Sequence, residues 1–339
     1  MSISRRRALA GMVSLPAFLS TSQKSAAGTV LKISHQFPGG TISHGDFRDR
    51  LCRIFAQEVE RRTNGELSFE VYANSSLMKI NAQFSAMRKG ALDFSLYPIS
   101  QSAGELPACN MALMPCLVTN YEQATKWKHA AVGRAIDKIL DSNGIKLLSW
   151  VWQAGGAASR RSPVTNPEDL HGVRIRGGSR LMDLMFEEAG GQVSTMPSSE
   201  IYIGMQTGAL DAAVTSSTSL ISFRLEELSK SLVTGRGHSY WFMLEPLCAS
   251  KSVFDTLSPD HQKIILQVGA ELESWGLEEA KKDDEQVANV YAAKGARIID
   301  LTDENIARWR AIAQRSAWKE YASTSAEANA LMQLAREVA

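Results

Sequence analysis

The feature that most constrains this chain is an alternation of strand-like apolar runs with amphipathic helical stretches, made twice along the sequence. Val30-Leu31-Lys32-Ile33-Ser34 has the two-residue period of a strand, and Phe37-Pro38-Gly39-Gly40 turns the chain. Phe47, Leu51, Ile54, Phe55 and Val59 then recur at three- and four-residue spacing, which predicts a helix ending near Asn64-Gly65. A strand over 67–71, a helix over 80–88, a strand over 92–96, a helix over 121–140 and an apolar strand over 145–152 continue the series. Strands separated by helix-sized connections pair in parallel, so this is an α/β pattern.

Around Gly155-Gly156 the composition changes, and 159–169 reads as loop. A second series follows: strand Val173-Arg174-Ile175, helix 181–189, strand 192–195, helix 201–206 and strand 210–214. Two such series predict two α/β lobes with a cleft between them. Ser258-Pro259-Asp260 supplies a Ser cap and a first-position proline for a long helix. Ile264, Val268, Leu272 and Trp275 line one face of that helix as it runs toward Tyr291. Such a helix either braces lobes already built or meets a partner through the same stripe. A strand over 297–300 leads to a last helix carrying Ile306, Trp309, Ile312, Ser316 and Tyr321. The expected division is 28–152 as first lobe, completed by later strands, and 153–237 as second lobe. Crossing strands and the long helix then occupy 238–300, and a C-terminal helix 301–339.

Residues 1–27 read as an address rather than as structure. A basic start with Arg5, Arg6 and Arg7 precedes a mildly apolar stretch interrupted by Gly11, Ser14 and Pro16, then small residues at Ser25, Ala26 and Ala27. That is the pattern of a secretory signal cleaved near Ala27. Ser4-Arg5-Arg6-Arg7-Ala8-Leu9 fits a twin-arginine signal as well as an ordinary one. The mature chain is therefore expected in the periplasm and not embedded in the membrane, since no later apolar run approaches the ~20 residues of a span. Four of the 37 basic residues lie in this segment and no acid does, which leaves 33 basic against 36 acidic residues. A net negative remainder gives no charge reason to bind nucleic acid.

Positive signs of catalysis are missing. The six histidines are scattered, and no HExxH, GxSxG, Walker A or GxGxxG run occurs. His44 and Asp46 read as a surface pair at a helix start rather than as metal ligands, so neither a metal nor another cofactor is expected. Cys109 and Cys116 have two readings, a disulfide across a loop or buried free thiols. One segment does suit a ligand. Arg176 follows a strand directly, at the carboxyl end where open α/β sheets bind ligands. Gly177-Gly178 leave room for close approach, and Ser179 can cap the next helix. A guanidinium offers two parallel donors to a carboxylate. Two readings stand: a carboxylate seat, or an arginine paired with a structural acid.

Asp169-Leu170-His171-Gly172-Val173-Arg174-Ile175-Arg176 resembles the ligand-arginine run of the DctP-type solute-binding proteins of TRAP transporters. The resemblance continues through Ala189-Gly190-Gly191, Met196-Pro197-Ser198-Ser199-Glu200-Ile201-Tyr202 and Met205-Gln206-Thr207-Gly208-Ala209-Leu210-Asp211. Arg62-Thr63-Asn64-Gly65 and Gly90-Ala91-Leu92-Asp93 resemble further signatures upstream. It implies a two-lobed periplasmic binding protein with a long bracing helix, hinge closure around a small organic acid, and delivery to TRAP membrane permease subunits. Arg176 takes the place of the arginine that salt-bridges the substrate carboxylate. Ser198, Thr215 and Ala157 stand where the family often has an aromatic, an asparagine and a second arginine. Arg160 or Arg161 could replace that last charge if their loop turns inward.

For the rest of the wall the candidates are Tyr97 after a first-lobe strand, Phe37 on the first turn, and Trp152 and Trp241 near the crossings. With Tyr240 and Phe242 these would make an apolar end to the site, unless they are strand core, as alternation requires of half of them. A monomer is expected. The same fold would also serve a periplasmic sensor feeding a chemoreceptor or sensor kinase. A periplasmic enzyme with an unfamiliar site is a third reading.

Overall fold

The first lobe follows from the order in which apolar strands become available. A computed structural model describes residues 28–338, so the export segment expected over 1–27 lies outside the described residues. The elements β1 (Thr29–Ser34), α1 (Phe47–Arg62), β2 (Leu67–Tyr72), α2 (Ile80–Arg88) and β3 (Phe94–Leu96) come first. Then come α3 (Tyr121–Trp127), α4 (Ala131–Ser142) and β4 (Ile145–Ser149). β1 pairs in parallel with both β2 and β3. On α1, Phe47, Leu51, Phe55 and Val59 are buried, and the helix stops where Asn64 and Gly65 take left-handed φ values of 51° and 80°.

Two readings of this region change. The single helix expected over 121–140 is two, because Gly133 packs so tightly on Trp127 that a Cβ would lie 2.0 Å from its carbonyl oxygen. The apolar run over 145–152 is likewise divided between two sheets. β4 ends at Ser149, and β5 (Trp152–Ser159) starts in the second lobe after the chain crosses at Trp150-Val151.

The second lobe contains β5, β6 (Arg174–Arg176), α5 (Arg180–Glu188), β7 (Gln192–Val193), α6 (Ile201–Gln206), β8 (Ala212–Ser216), α7 (Ser217–Ser222), β9 (Ser231–Val233) and β10 (Phe242–Leu244). The chain returns through Glu245-Pro246 into β11 (Leu247–Ser250), followed by α8 (Lys251–Phe254), α9 (Pro259–Ala293) and β12 (Arg297–Ile299). The first sheet has the order β2-β1-β3-β11-β4, with β11 antiparallel to both neighbours. The second runs β12-β9-β5-β8-β6-β7, with β10 paired to β5. Helix α9 is 35 residues long, roughly 50 Å at 1.5 Å per residue. It packs on α1 and β4 of one lobe and on α7 and β5 of the other, then feeds β12 into the second sheet.

Beyond residue 300 the sequence suggests one helix, and the structure has three: α10 (Asp303–Ala313), α11 (Lys319–Ser323) and α12 (Ala326–Arg336). A π-helical turn over Gln314–Trp318 joins the first two. Trp309 donates its indole N–H to Thr165 in the second lobe at 2.9 Å, and Trp318 donates to Pro115 in the first at 2.8 Å. The C-terminal segment therefore fastens both lobes. Among the described residues no helix is long and apolar enough to cross a membrane.

Candidate functional site

Strand β6, held in parallel between β7 and β8, delivers Arg176 to its carboxyl end. The guanidinium is buried; Nε donates to the Met196 carbonyl at 3.0 Å and Nη1 to the Val214 carbonyl at 2.8 Å. Both acceptors are neutral. Among the described residues no carboxylate lies within ion-pair distance of it, so the structural acid that one sequence reading required is not there. Burial pushes its pKa down to about 10, although Asp183 and Glu245 are near enough to favour the charge. Gly178 follows with φ +102°, and a Cβ there would fall 2.7 Å from Arg176 Nη1. Ser179 then caps α5 by accepting from the Met182 N–H at 3.2 Å.

Three other sequence candidates gather near this guanidinium. Thr215 follows Val214 on β8, and Ser198 opens the short turn after Met196-Pro197; both are buried. Trp241 donates its indole N–H to the Gly177 carbonyl at 2.9 Å and lies over Gly155, where a Cβ would be 2.3 Å from the ring. The remaining candidates pack against other residues than Arg176. Phe37 lies under Arg48, with the guanidinium carbon 3.5 Å from its ring centre. Tyr97 stacks on Phe84 at 6.0 Å in the first-lobe core, where burial raises its pKa. Trp152 meets Trp127 edge-on at 5.4 Å and Phe242 at 6.2 Å, while Tyr240 packs on Phe186 and Trp309. Of the aromatic run 240–242, only Trp241 lies against the Arg176 loop. Arg161 turns outward to Asp211 and is 69% exposed, so it does not replace the charge missing at Ala157.

The larger part of the interlobe chemistry escaped the sequence reading. Asp46 is not a surface residue: it caps α1, is buried, and grips Arg48 with both oxygens at 2.9 and 2.7 Å. The same guanidinium reaches across to Ser216 (3.2 Å) and Ser219 (3.0 Å) of the second lobe, and to Glu245 (3.3 Å) on the return crossing. Burial opposes the charge on Arg48, but Asp46 and Glu245 outweigh it and hold the pKa above its ordinary value. Burial pushes Glu245 the other way, upward, against the pull of Arg48. Signals existed for both. Arg48 occupies a position on the apolar face of α1, and Glu245 interrupts the run Trp241-Phe242-Met243-Leu244 before Pro246.

Several polar atoms at or near the strand ends and crossings are buried without a partner among the described residues, including Tyr97 OH, Trp152 Nε1 and Asp183 Oδ1. Gln36 Oε1 follows β1, Ser100 Oγ follows β3, Ser149 Oγ ends β4, and Gln153 Oε1 and Glu245 Oε1 sit on the two crossings. Native interiors rarely leave such groups unsatisfied, and water or a ligand is the usual partner. Gln101 closes the gap on one side by donating to the Gly178 carbonyl at 3.0 Å. Among the described residues no group of three or more metal-binding side chains occurs, and Cys52, Cys109, Cys116 and Cys248 are all buried and free. The disulfide reading for Cys109 and Cys116 is therefore not what the structure contains.

The family model described as bacterial extracellular solute-binding protein, family 7 (DctP), matches residues 34–324. A solute-binding protein of Albidiferax ferrireducens is 55% identical over 323 residues, covering 95% of this chain and 94% of that protein. The crystal structure of a TRAP periplasmic solute-binding protein from Rhodoferax ferrireducens with bound malonate is 56% identical. It superposes with a TM-score of 0.90 over 91% of this chain and 98% of that one. The 2,3-diketo-L-gulonate-binding periplasmic protein of Escherichia coli is 26% identical over 268 residues, 78% of this chain and 80% of that protein.

Proposed function

Because this chain belongs to the bacterial extracellular solute-binding proteins of family 7, we propose that it captures a small organic carboxylate in the periplasm and hands it to the membrane permease of a TRAP-type transporter. One observation carries the reading: Arg176 is a buried guanidinium whose fixed partners are two neutral carbonyls and no carboxylate. A ligand carboxylate supplies the missing charge, and in a site this dry the pairing is strong. Malonate in the relative that is 56% identical supports a short organic acid as the ligand class.

Capture proceeds by closure. The Arg48 bonds to Ser216 and Ser219 and the Gln101 bond to Gly178 each join the two lobes. A ligand that also touches both lobes adds to these contacts only in the closed form, and so shifts the open–closed equilibrium. The permease then has a distinct shape to read.

The test is thermal unfolding against a panel of carboxylates that includes malonate, each beside its amide. An acid present at 100 times its dissociation constant adds about 2.7 kcal/mol, and the amide adds little. In the Arg176→Met variant the acid's effect disappears. Equal stabilisation by acid and amide, or an undiminished effect in the variant, would refute the carboxylate seat.

A further inference from the structure

The return crossing carries an acid that the carboxylate reading does not by itself explain. Glu245 donates its backbone N–H to the Val151 carbonyl at 2.8 Å, which ties one crossing to the other. Its Oε2 accepts from Arg48 Nη1 at 3.3 Å and from the Gln153 amide. Its Oε1 is buried and has no partner among the described residues, and neither has Oε1 of Gln153. Two neighbouring acceptors are thus locked in place with one lone oxygen each. Glu245 is close enough to act on the charge of Arg176, yet the two lie beyond ion-pair distance.

The charges around this pair exclude one class of occupant. Arg48 is already enclosed by Asp46 on one side and Glu245 on the other, so it has no free edge for a second ligand carboxylate. A full negative charge brought against Glu245 would face repulsion in a dry site. What two orphaned acceptors require is a donor. We propose that Glu245 and Gln153 are specificity-determining residues that accept hydrogen bonds from a hydroxyl or N–H carried by the ligand near the carboxylate that Arg176 holds. The preferred solutes are then hydroxy acids or amide-bearing acids rather than plain mono- or dicarboxylates. This rests on the carboxylate reading above and narrows it.

The experiment is titration calorimetry with two ligand pairs that differ by one hydroxyl: lactate against propionate, and hydroxymalonate against malonate. In the wild-type protein the hydroxylated member of each binds at least about tenfold tighter, since a site with buried acceptors rejects the analogue that leaves them unpaired. Glu245→Gln keeps the shape and weakens the acceptor. Gln153→Met removes one acceptor together with the amide donated to Glu245, but keeps the Arg48 ion pairs to Asp46 and Glu245, so it reports even if the first variant folds poorly. The preference falls to within about threefold in Gln153→Met, and in Glu245→Gln wherever that variant is folded. A wild-type protein without hydroxyl preference, or a preference that persists in the folded variants, overturns the proposal. If propionate and malonate bind as well as their partners and Arg176→Met abolishes binding, the carboxylate seat stands and only this narrowing fails. If the hydroxy acids bind Arg176→Met as tightly as the wild-type protein, the carboxylate reading fails and the proposal with it.

Discussion

Two buried arginines sit in the cleft region, and truncating each to methionine separates a ligand anchor from a structural keystone. For Arg176 the charge is held without a carboxylate partner, and burial pushes its pKa down to about 10. That shift corresponds to about 3 kcal/mol spent on keeping the guanidinium charged at neutral pH. Arg176→Met recovers this cost but orphans the carbonyls of Met196 and Val214, at about 1–3 kcal/mol each. The two nearly offset, so the ligand-free variant changes by between a gain of about 1 and a loss of about 3 kcal/mol. Arg48→Met has no such offset, because it strands Asp46 and Glu245 as buried carboxylates. Breaking a single buried pair costs about 3–5 kcal/mol, and here both are broken. Urea unfolding of both variants without ligand, followed by the malonate response of each, measures the contrast. If Arg176→Met falls as far as Arg48→Met, Arg176 is structural and the reasoning from its partner list is wrong.

Other outcomes follow from single contacts. Asp284, buried in the C-terminal half of α9 and accepting from Tyr121 at 2.7 Å, has its pKa raised to about 7 by burial. The native state thus holds a proton that the unfolded chain releases near pH 4, so this group's contribution falls as pH rises from about 4 to about 7. Asp284→Asn should flatten that slope and stabilise the protein at pH 8 by at most about 4 kcal/mol, read from urea midpoints across pH. Gly155→Ala drives a methyl into Trp241 and the Thr215 carbonyl, at 2.3 and 2.5 Å. It should cost about 1–3 kcal/mol of stability and shift tryptophan fluorescence. Gln101→Ala removes the amide that reaches Gly178 across the lobes, and weakens ligand binding by about tenfold while changing ligand-free stability little.

What could be read from the sequence was what lies close together in it. Arg176 stood out because strand, guanidinium, two glycines and helix cap are consecutive, so one short segment carried both the local structure and the chemistry. The long helix was equally plain from Ser258-Pro259 and its apolar stripe, and it begins at Pro259. Trp127-Lys128 gave no warning of a helix break, because the cause is the contact of Gly133 with a carbonyl six residues earlier. The Arg48–Glu245 pair spans 197 residues, and neither residue identifies the other. Each was visible only as a charge in an apolar context, which says that a partner exists and not which one. Aromatic residues misled for a related reason: period-two alternation tells that Tyr240 and Trp241 face opposite ways, but not which way is the cleft.

The position of β11 settles when this protein can finish folding. That strand, residues 247–250, lies between β3 and β4 in the first sheet, although those strands lie about a hundred residues or more earlier in the chain. Until it arrives, β3 and β4 have open facing edges and no hydrogen-bonded partner on that side. A chain that emerges from its amino end must therefore keep the whole first lobe waiting while the second is delivered. Fragments ending before residue 247 should behave as sticky, incomplete sheets rather than as a free-standing lobe. The two lobes are separate bodies in space but one event in time.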